Sequence, residues 1–264
     1  IKVLTGQYGD YGLAPKKSSF VMHAAVARHY FDGGSFPVGG SSQIAKTIDT
    51  VIEKAGGTIL ISADVEEIII SNHTATGVKM KDGKIFSAKN IISGAGIMTT
   101  YNRLIPTTIA EKYKLKNQLQ KVDRSVSHAC LYVGLESSPE ELKLPKTNYL
   151  IYPCDLDHDA SVDRYLANIE EEFPVVYISF PSAKDPDWNK RYPGKSTIDI
   201  ITLVPYEFFE SWDGSKWMKR GEDYTELKEK ITQRLLEVLY KRIPTAKTML
   251  SHYALHTPYT TKQF

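Results

Sequence analysis

One stretch constrains the fold more than any other: an apolar helical stripe held between two glycine pairs. Ile44, Ile48, Val51, Ile52 and Ala55 recur at spacings of four, three, one and three, which puts them on one side of a helix. Ser41 or Ser42 opens that helix after Gly39-Gly40. Gly56-Gly57 stops it, because glycine accepts the left-handed conformation that a helix C-terminus uses. The spacing predicts a helix over residues 43–54, with Ile44, Ile48 and Val51 packed on a sheet that contains residues 65–70. Strand signals follow directly. Residues 58–61 and 65–70 are β-branched runs, 78–81 and 84–86 flank Asp82-Gly83 as a two-residue hairpin, and Ile91-Ile92 runs into Ser93-Gly94-Ala95-Gly96.

Ahead of the helix, Asp32-Gly33-Gly34-Ser35-Phe36-Pro37-Val38-Gly39-Gly40 is a glycine-rich loop. Glycines at a loop-to-helix junction allow close backbone approach, and a helix N-terminus carries free N–H groups and partial positive charge. That arrangement suits a phosphate or a carboxylate. It equally suits a tight turn that packs the helix on a sheet, and the residues themselves leave both readings open.

The remainder changes character. Residues 1–17 read as loop, and Ser18 or Ser19 caps a helix through Phe20, Val21 and Ala24–Ala27. Residues 112–121 read as a polar helix and 162–169 as a short one. Four β-branched and aromatic runs, at 126–135, 149–152, 175–180 and 197–204, predict a mostly antiparallel sheet. A helix over 224–240 carries Leu227, Ile231, Leu235 and Val238 on one face, with Asp223 and Glu226 as a capping box and Pro244 beyond its end.

Several motifs fail on their own chemistry. Pro193-Gly194-Lys195-Ser196 has Asn189 where a phosphate-binding loop needs glycine, and a strand follows it instead of a helix. Asp155, Asp157 and Asp159 alternate like a calcium loop, but Ala160 replaces the central glycine and Leu166 the last ligand; they read as a solvated turn before a helix. His252 and His256 have zinc-helix spacing without the intervening Glu. No metal site and no nucleophilic serine elbow is expected. The 33 basic and 31 acidic residues are too balanced for nucleic acid or an anionic membrane to be the main partner. Cys130 and Cys154 read as reduced, partly buried thiols, and no apolar run is long enough to span a bilayer. No signal peptide is read at the start, and a sequence that opens on Ile1 reads as a piece of a longer or trimmed chain. Asn72-His73-Thr74 is a lone glycosylation triplet.

What survives is the stretch from Gly33 to Gly96. Tyr30-Phe31-Asp32-Gly33-Gly34-Ser35-Phe36-Pro37-Val38-Gly39-Gly40-Ser41-Ser42 resembles the Gly-Gly…Pro-x-Gly-Gly signature of the FAD-dependent oxidoreductase group of phytoene desaturases, carotenoid isomerases and retinol saturases. Ala55-Gly56-Gly57-Thr58-Ile59, Val65-Glu66-Glu67-Ile68 and Asn90–Gly96 are similar to successive stretches of the same group, as are Gln7–Gly12 near the start and Thr257–Phe264 at the end. The resemblance implies FAD as cofactor, with NAD(P)H as a possible reductant. It implies cofactor contacts at Val65, whose backbone would meet the adenine, at Ser93, Gly94, Ala95 and Gly96, and at Gly39 and Gly40. It implies an α/β plus α+β fold: a partial Rossmann-like FAD domain of residues 30–105 and 246–264, and an antiparallel-sheet substrate domain of 1–29 and 106–245. The implied activity is reduction, desaturation or isomerisation of a conjugated, apolar small molecule, in the cytoplasm or at a membrane surface. A flavin amine oxidase, or a non-enzymatic lipid-binding protein on the same scaffold, are the alternatives. Two departures matter. No Gly-x-Gly-x-x-Gly occurs in these residues, and the acidic ribose-binding residue that follows it in the group is missing too. The chain alone is therefore expected to be inactive and not to hold FAD, and to expose apolar surface near 58–70 and 88–96 or hide it in a dimer. No catalytic residue is assigned. His23, the histidine nearest the glycine loop, reads as structural.

Overall fold

The computed structural model describes residues 2–121, 126–155, 157–216 and 219–263. The chain divides into two compact units, Ile1–Thr47 with Ser125–Phe264, and Ile48–Arg124. The sequence division set its boundaries at 29/30, 105/106 and 245/246 instead. Among the described residues, four helices reach ten residues or more: α1 (Phe20–His29), α2 (Ser42–Lys54), α3 (His158–Ala167) and α4 (Glu222–Arg242).

The larger unit is built on a five-stranded sheet. Its strands are β4 (His128–Leu135), β5 (Tyr149–Ile151), β6 (Val176–Ser179), β7 (Ser196–Leu203) and β8 (Leu250–His256), in the order β5-β6-β7-β4-β8. Every neighbouring pair is antiparallel, as the runs of β-branched residues predict. Alternation decides which side is core. Ala129, Leu131, Val133 and Leu135 of β4 and Ile198 and Ile200 of β7 are buried on one face, where α4 covers them with Ile231, Leu235, Leu236 and Leu239. Each of the Leu, Ile and Val side chains contributes about 1.5–3 kcal/mol of hydrophobic burial. Two details depart from expectation. α4 starts after Gly221, at φ +87°, with no side-chain cap, so Asp223 lies inside the first turn and acts on the helix dipole instead of closing a capping box. Residues 250–256 form β8, a strand that the sequence did not announce, and His252 and His256 lie on it instead of on a helix.

The smaller unit holds an antiparallel meander of β1 (Val65–Ser71), β2 (Thr74–Met80) and β3 (Ile85–Ser87). β1 turns into β2 through Asn72 and His73, both with positive φ (47° and 63°), the conformation of a two-residue hairpin turn. The Asp82-Gly83 hairpin forms, but with a longer turn. The Gly83 amide donates to Met80 O and the Met80 amide to Lys84 O, with Gly83 at φ +86°.

Four expectations fail here. α2 forms as predicted and ends in a Schellman motif, in which Gly57 N donates to Ile52 O and Gly56 N, at φ +76°, to Glu53 O. Its stripe, however, is not packed: Ile44, Ile48 and Val51 are 56%, 52% and 66% exposed. The segment Thr100–Leu104 lies against β1 instead, and Leu104 shares burial with Ile68 and Met80. Residues 58–61 and 91–92 form no strand, having no ladder partner among the described residues, and no parallel strand pair occurs among those residues. The parallel part of a Rossmann-like arrangement is thus not built by them. The helix expected over 112–121 is two short ones, Thr107–Lys112 and Leu115–Leu119, parted by Lys114 at φ +52°. Cys154 is exposed and only Cys130 buried. The expected apolar surface is present: Ile59, Leu60, Ile61 and Ile92 are all exposed.

Candidate functional site

In the smaller unit, Val65, Ser93, Gly94 and Ala95 line one cleft of about 360 Å³, together with Ile68, Val78 and Arg103. Residues nearly thirty positions apart meet there because β1 supplies one wall and the chain after Asn90 returns along it. Val65 sits on the edge strand of the sheet, next to a register shift between Val65 and Glu67. The Lys81 amide donates to Asp64 O at 3.0 Å, which makes 64 and 81 a hydrogen-bonded pair. By the alternation of an antiparallel ladder, the backbone amide and carbonyl of Val65 then point out of the open edge. Ser93 is held by its hydroxyl, 2.7 Å from Thr100 Oγ1, which in turn donates to Gly96 O at 2.7 Å. Gly96, at φ +80°, turns the chain into the helical stretch that carries Arg103. Asp64 at the cleft wall is held below the usual carboxylate range, first by its hydrogen bond to Lys81 and, more weakly, by Arg103. The cleft thus offers an apolar wall, an open strand edge and one guanidinium.

Gly39 and Gly40 lie in the larger unit. They form the turn Pro37–Gly40, closed by Gly40 N donating to Pro37 O at 3.0 Å, with Gly39 at φ +89° in the position that demands glycine. The Gly39 amide donates to Asp185 Oδ1 at 3.0 Å. Both glycine amides are therefore engaged within the protein, so the tight-turn reading describes them, and neither donor is left for a phosphate. Asp185 also accepts from Asp187 N at 3.0 Å and pairs with Arg191. Burial pushes the Asp185 carboxyl up, but two backbone N–H groups and the Arg191 charge outweigh it and hold it below the ordinary range. Nothing near Asp185 in the sequence marks it, because its partner is 146 positions away.

A second cleft, of about 570 Å³, lies within the larger unit between the Gly9–Gly12 turn and the sheet face turned away from α4. Leu150, Tyr177, Ile201 and Leu203 form its sheet wall, and Asp10, Tyr11 and Tyr30 face them. His23 stands outside this set with Nδ1 3.2 Å from the Tyr11 hydroxyl, a satisfied structural histidine as expected. No helix of the described residues is long and apolar enough to cross a membrane.

No family model matches the chain. Individual relatives do. An all-trans-retinol 13,14-reductase of Danio rerio is 35% identical over 269 residues, covering 99% of this chain and 44% of that protein. A chloroplastic prolycopene isomerase of Arabidopsis thaliana is 28% identical over 245 residues, covering 90% of this chain and 36% of that protein. The crystal structure of an oxidoreductase from Methanosarcina mazei superimposes with a TM-score of 0.55 at 19% identity, over 83% of this chain and 43% of that one, which shows a shared fold. The chain spans less than half the length of the curated relatives it matches. Over nearly all its residues it is thus similar to one segment of these retinol reductases and prolycopene isomerases, and the resemblance to the retinol saturase and carotenoid isomerase group of oxidoreductases holds.

Proposed function

We propose that the whole protein is a flavin-dependent oxidoreductase that reduces, desaturates or isomerises double bonds of a conjugated apolar substrate of the retinoid or carotenoid type. The observation that carries this reading is the cleft in which Val65, Ser93, Gly94 and Ala95 converge, in a chain 35% identical to a retinol reductase along almost its full extent. A flat purine edge fits a strand edge whose amide and carbonyl point outward, and apolar Ile68 and Val78 fit its face. Val65, the Ser93–Gly96 turn and Arg103 would hold the adenosine side of FAD. Gly39 and Gly40 would act by fixing the start of α2. When bound, the flavin supplies the ring that gives or takes a hydride, and NAD(P)H is the proposed source of electrons where the reaction is a reduction. Residues within 30–105 would serve the nucleotide, and 1–29 with 106–245 the substrate. Exposed Ile59, Leu60, Ile61 and Ile92 would be covered by further protein, a second copy or a membrane surface.

The test is the visible absorbance spectrum of the full-length protein as purified, followed by product analysis with retinol and with a cis-carotenoid. A flavin band with turnover of one of them is expected. A flavin-free protein that carries a polyene would point to a lipid-binding role, and a flavoprotein that oxidises amines to an amine oxidase.

A further inference from the structure

Strand β8 has β4 on one flank and, among the described residues, no strand on the other. Two hydrogen bonds fix which of its backbone groups face outward. On one flank of β4 the Val204 amide donates to Ser127 O at 3.0 Å, and on the other the Glu136 amide donates to Met249 O at 2.9 Å. By the alternation of an antiparallel ladder, odd-numbered residues of β4 then bond to β7 and even-numbered ones to β8. Cys130, Tyr132 and Gly134 have His256, Ala254 and His252 as their partners on β8. The amides and carbonyls of Tyr253 and Leu255 therefore point out of the open edge. Nothing in Leu250–His256 blunts that edge, since the strand holds no proline, no lysine and no acid.

A groove of about 680 Å³ runs along this edge, between Tyr253–Leu255 and the first half of α4. Tyr253 and Leu255 lie opposite Val133 and Leu131, so their side chains are on the face that α4 covers. The Tyr224 hydroxyl is 2.8 Å from Thr257 Oγ1, and the Tyr253 hydroxyl donates to Glu229 Oε1 at 3.1 Å. Leu255 thus stands level with the stretch of α4 between Tyr224 and Glu229. Two cations gather there. The Lys228 ammonium lies 5.9 Å over the Tyr224 ring and forms no ion pair among the described residues. The Arg220 guanidinium is stacked on the same ring, at 4.9 Å, and on Tyr259, at 4.4 Å. Of the two acids on the lining, Glu229 is engaged by Tyr253 and by the Gln233 amide, and Glu222 is exposed at the start of the helix.

We infer that this groove binds an extended peptide segment of a partner as a further antiparallel strand on β8, with an acidic side chain opposite Leu255 and an apolar one opposite Tyr253. The inference is independent of the flavin reading. An extended chain presents a donor and an acceptor at every second residue, which is the spacing of the two outward-facing residues of β8. Residues opposite Tyr253 and Leu255 turn their side chains toward α4, while the one between them, opposite Ala254, turns away. The acid is selected by Lys228 and Arg220. Two positions further along the segment Glu229 faces it, and a second acid there meets a like charge. Lys228 is thus assigned as the residue that sets the charge preference of the groove.

The experiment titrates the 264-residue chain into the fluorescein-labelled peptide acetyl-Val-Thr-Glu-Thr-Val-Thr-amide and follows its anisotropy. Saturable binding with Kd below about 1 mM is expected. The same peptide N-methylated at Glu and at the second Val, which loses both donors aimed at β8, should not bind. Lys in place of the peptide Glu should weaken binding by about tenfold, and Lys228→Glu should invert that order. The inverted order also shows that the variant is folded. Amide exchange read by NMR locates the peptide: Tyr253 and Leu255 should slow on binding, and Ala254, already bonded to β4, should not change. Absence of binding, binding of the N-methylated peptide, or a charge preference unmoved in Lys228→Glu would overturn the assignment. So would slow exchange at Tyr253 and Leu255 that rises with concentration of the chain alone, because the edge would then be a seam between two copies.

Discussion

The amide of Gly39 donates to Oδ1 of Asp185 across 3.0 Å, joining a glycine turn to a carboxylate 146 positions further along the chain. Removing that carboxylate strands two backbone N–H groups and the Arg191 guanidinium. Asp185→Ala is expected to cost about 3–5 kcal/mol, the loss on breaking a buried charged pair. The shift of the urea midpoint measures it. The pH dependence follows from the direction of the shift. The folded carboxyl sits below its unfolded value, so its contribution is complete above the unfolded range of about 3.9 and is lost as pH falls through the lower folded value. Unfolding free energy should therefore drop more steeply between about pH 5 and about pH 3 in the wild type than in Asp185→Asn.

Gly77 of β2 should tolerate no side chain. A Cβ built there would stand 2.5 Å from Phe86 O and 3.2 Å from Ser87 Cα on β3. Gly77→Ala must push the two strands apart, and we expect a loss of about 1–3 kcal/mol with faster amide exchange across β2 and β3. Unchanged exchange at Val78 and Lys79 would refute the close approach.

Ile48→Ala is expected to change stability by no more than about 0.5 kcal/mol, since the side chain is half exposed. A buried stripe would have lost about 2–5 kcal/mol on the same substitution. Ile48→Glu should lower the binding of a hydrophobic dye, or the light scattering of concentrated solutions, because it places a charge in an open apolar face. A large fall in melting temperature for Ile48→Ala would restore the packed helix.

The 264-residue chain is expected not to retain FAD. Pyrophosphate binding draws on a helix N-terminus with a glycine turn beside it, and the sequence holds no Gly-x-Gly-x-x-Gly while both amides of Gly39-Gly40 are engaged elsewhere. Two or three missing charge-assisted hydrogen bonds, at about 1.5–3 kcal/mol each, weaken binding by orders of magnitude. Titration with FAD, followed by flavin fluorescence, checks this. Stoichiometric binding at micromolar concentration would show the missing motif to be dispensable.

Where the sequence carries strong local periodicity, the fold could be read from it. The spacing of Ile44, Ile48 and Val51 marks α2, Gly56-Gly57 its end, and Leu227, Ile231 and Leu235 mark α4. Runs of β-branched residues likewise located β1, β4, β6 and β7. Periodicity names a face but not what covers it. Leu104 took the place beside β1 that Ile48 was expected to fill, and residues 58–61 have strand composition without a strand partner. β8 escaped notice because Ser251 and His252 interrupt its apolar alternation, and it exists only through its pairing with β4. Of the candidate site, Val65 and Ser93–Gly96 were marked by resemblance to known sequences. Arg103 and Asp185 were not, since their roles arise from a helical return and from a contact far along the chain.

The pairing of β4 with β8 also has a consequence for how the molecule is made. Of the five described strands of this sheet, β4 is the first to leave the ribosome and β8 the last, yet they lie side by side, with Leu135 opposite Leu250. Throughout translation of the intervening chain, one flank of β4 waits with its amides and carbonyls unmatched, an open template for any extended segment nearby. Completion of the sheet is therefore a late, long-range event, slow by topology. A nascent chain stalled before Leu250 would be the species most exposed to mispairing, and the one a chaperone would be expected to guard.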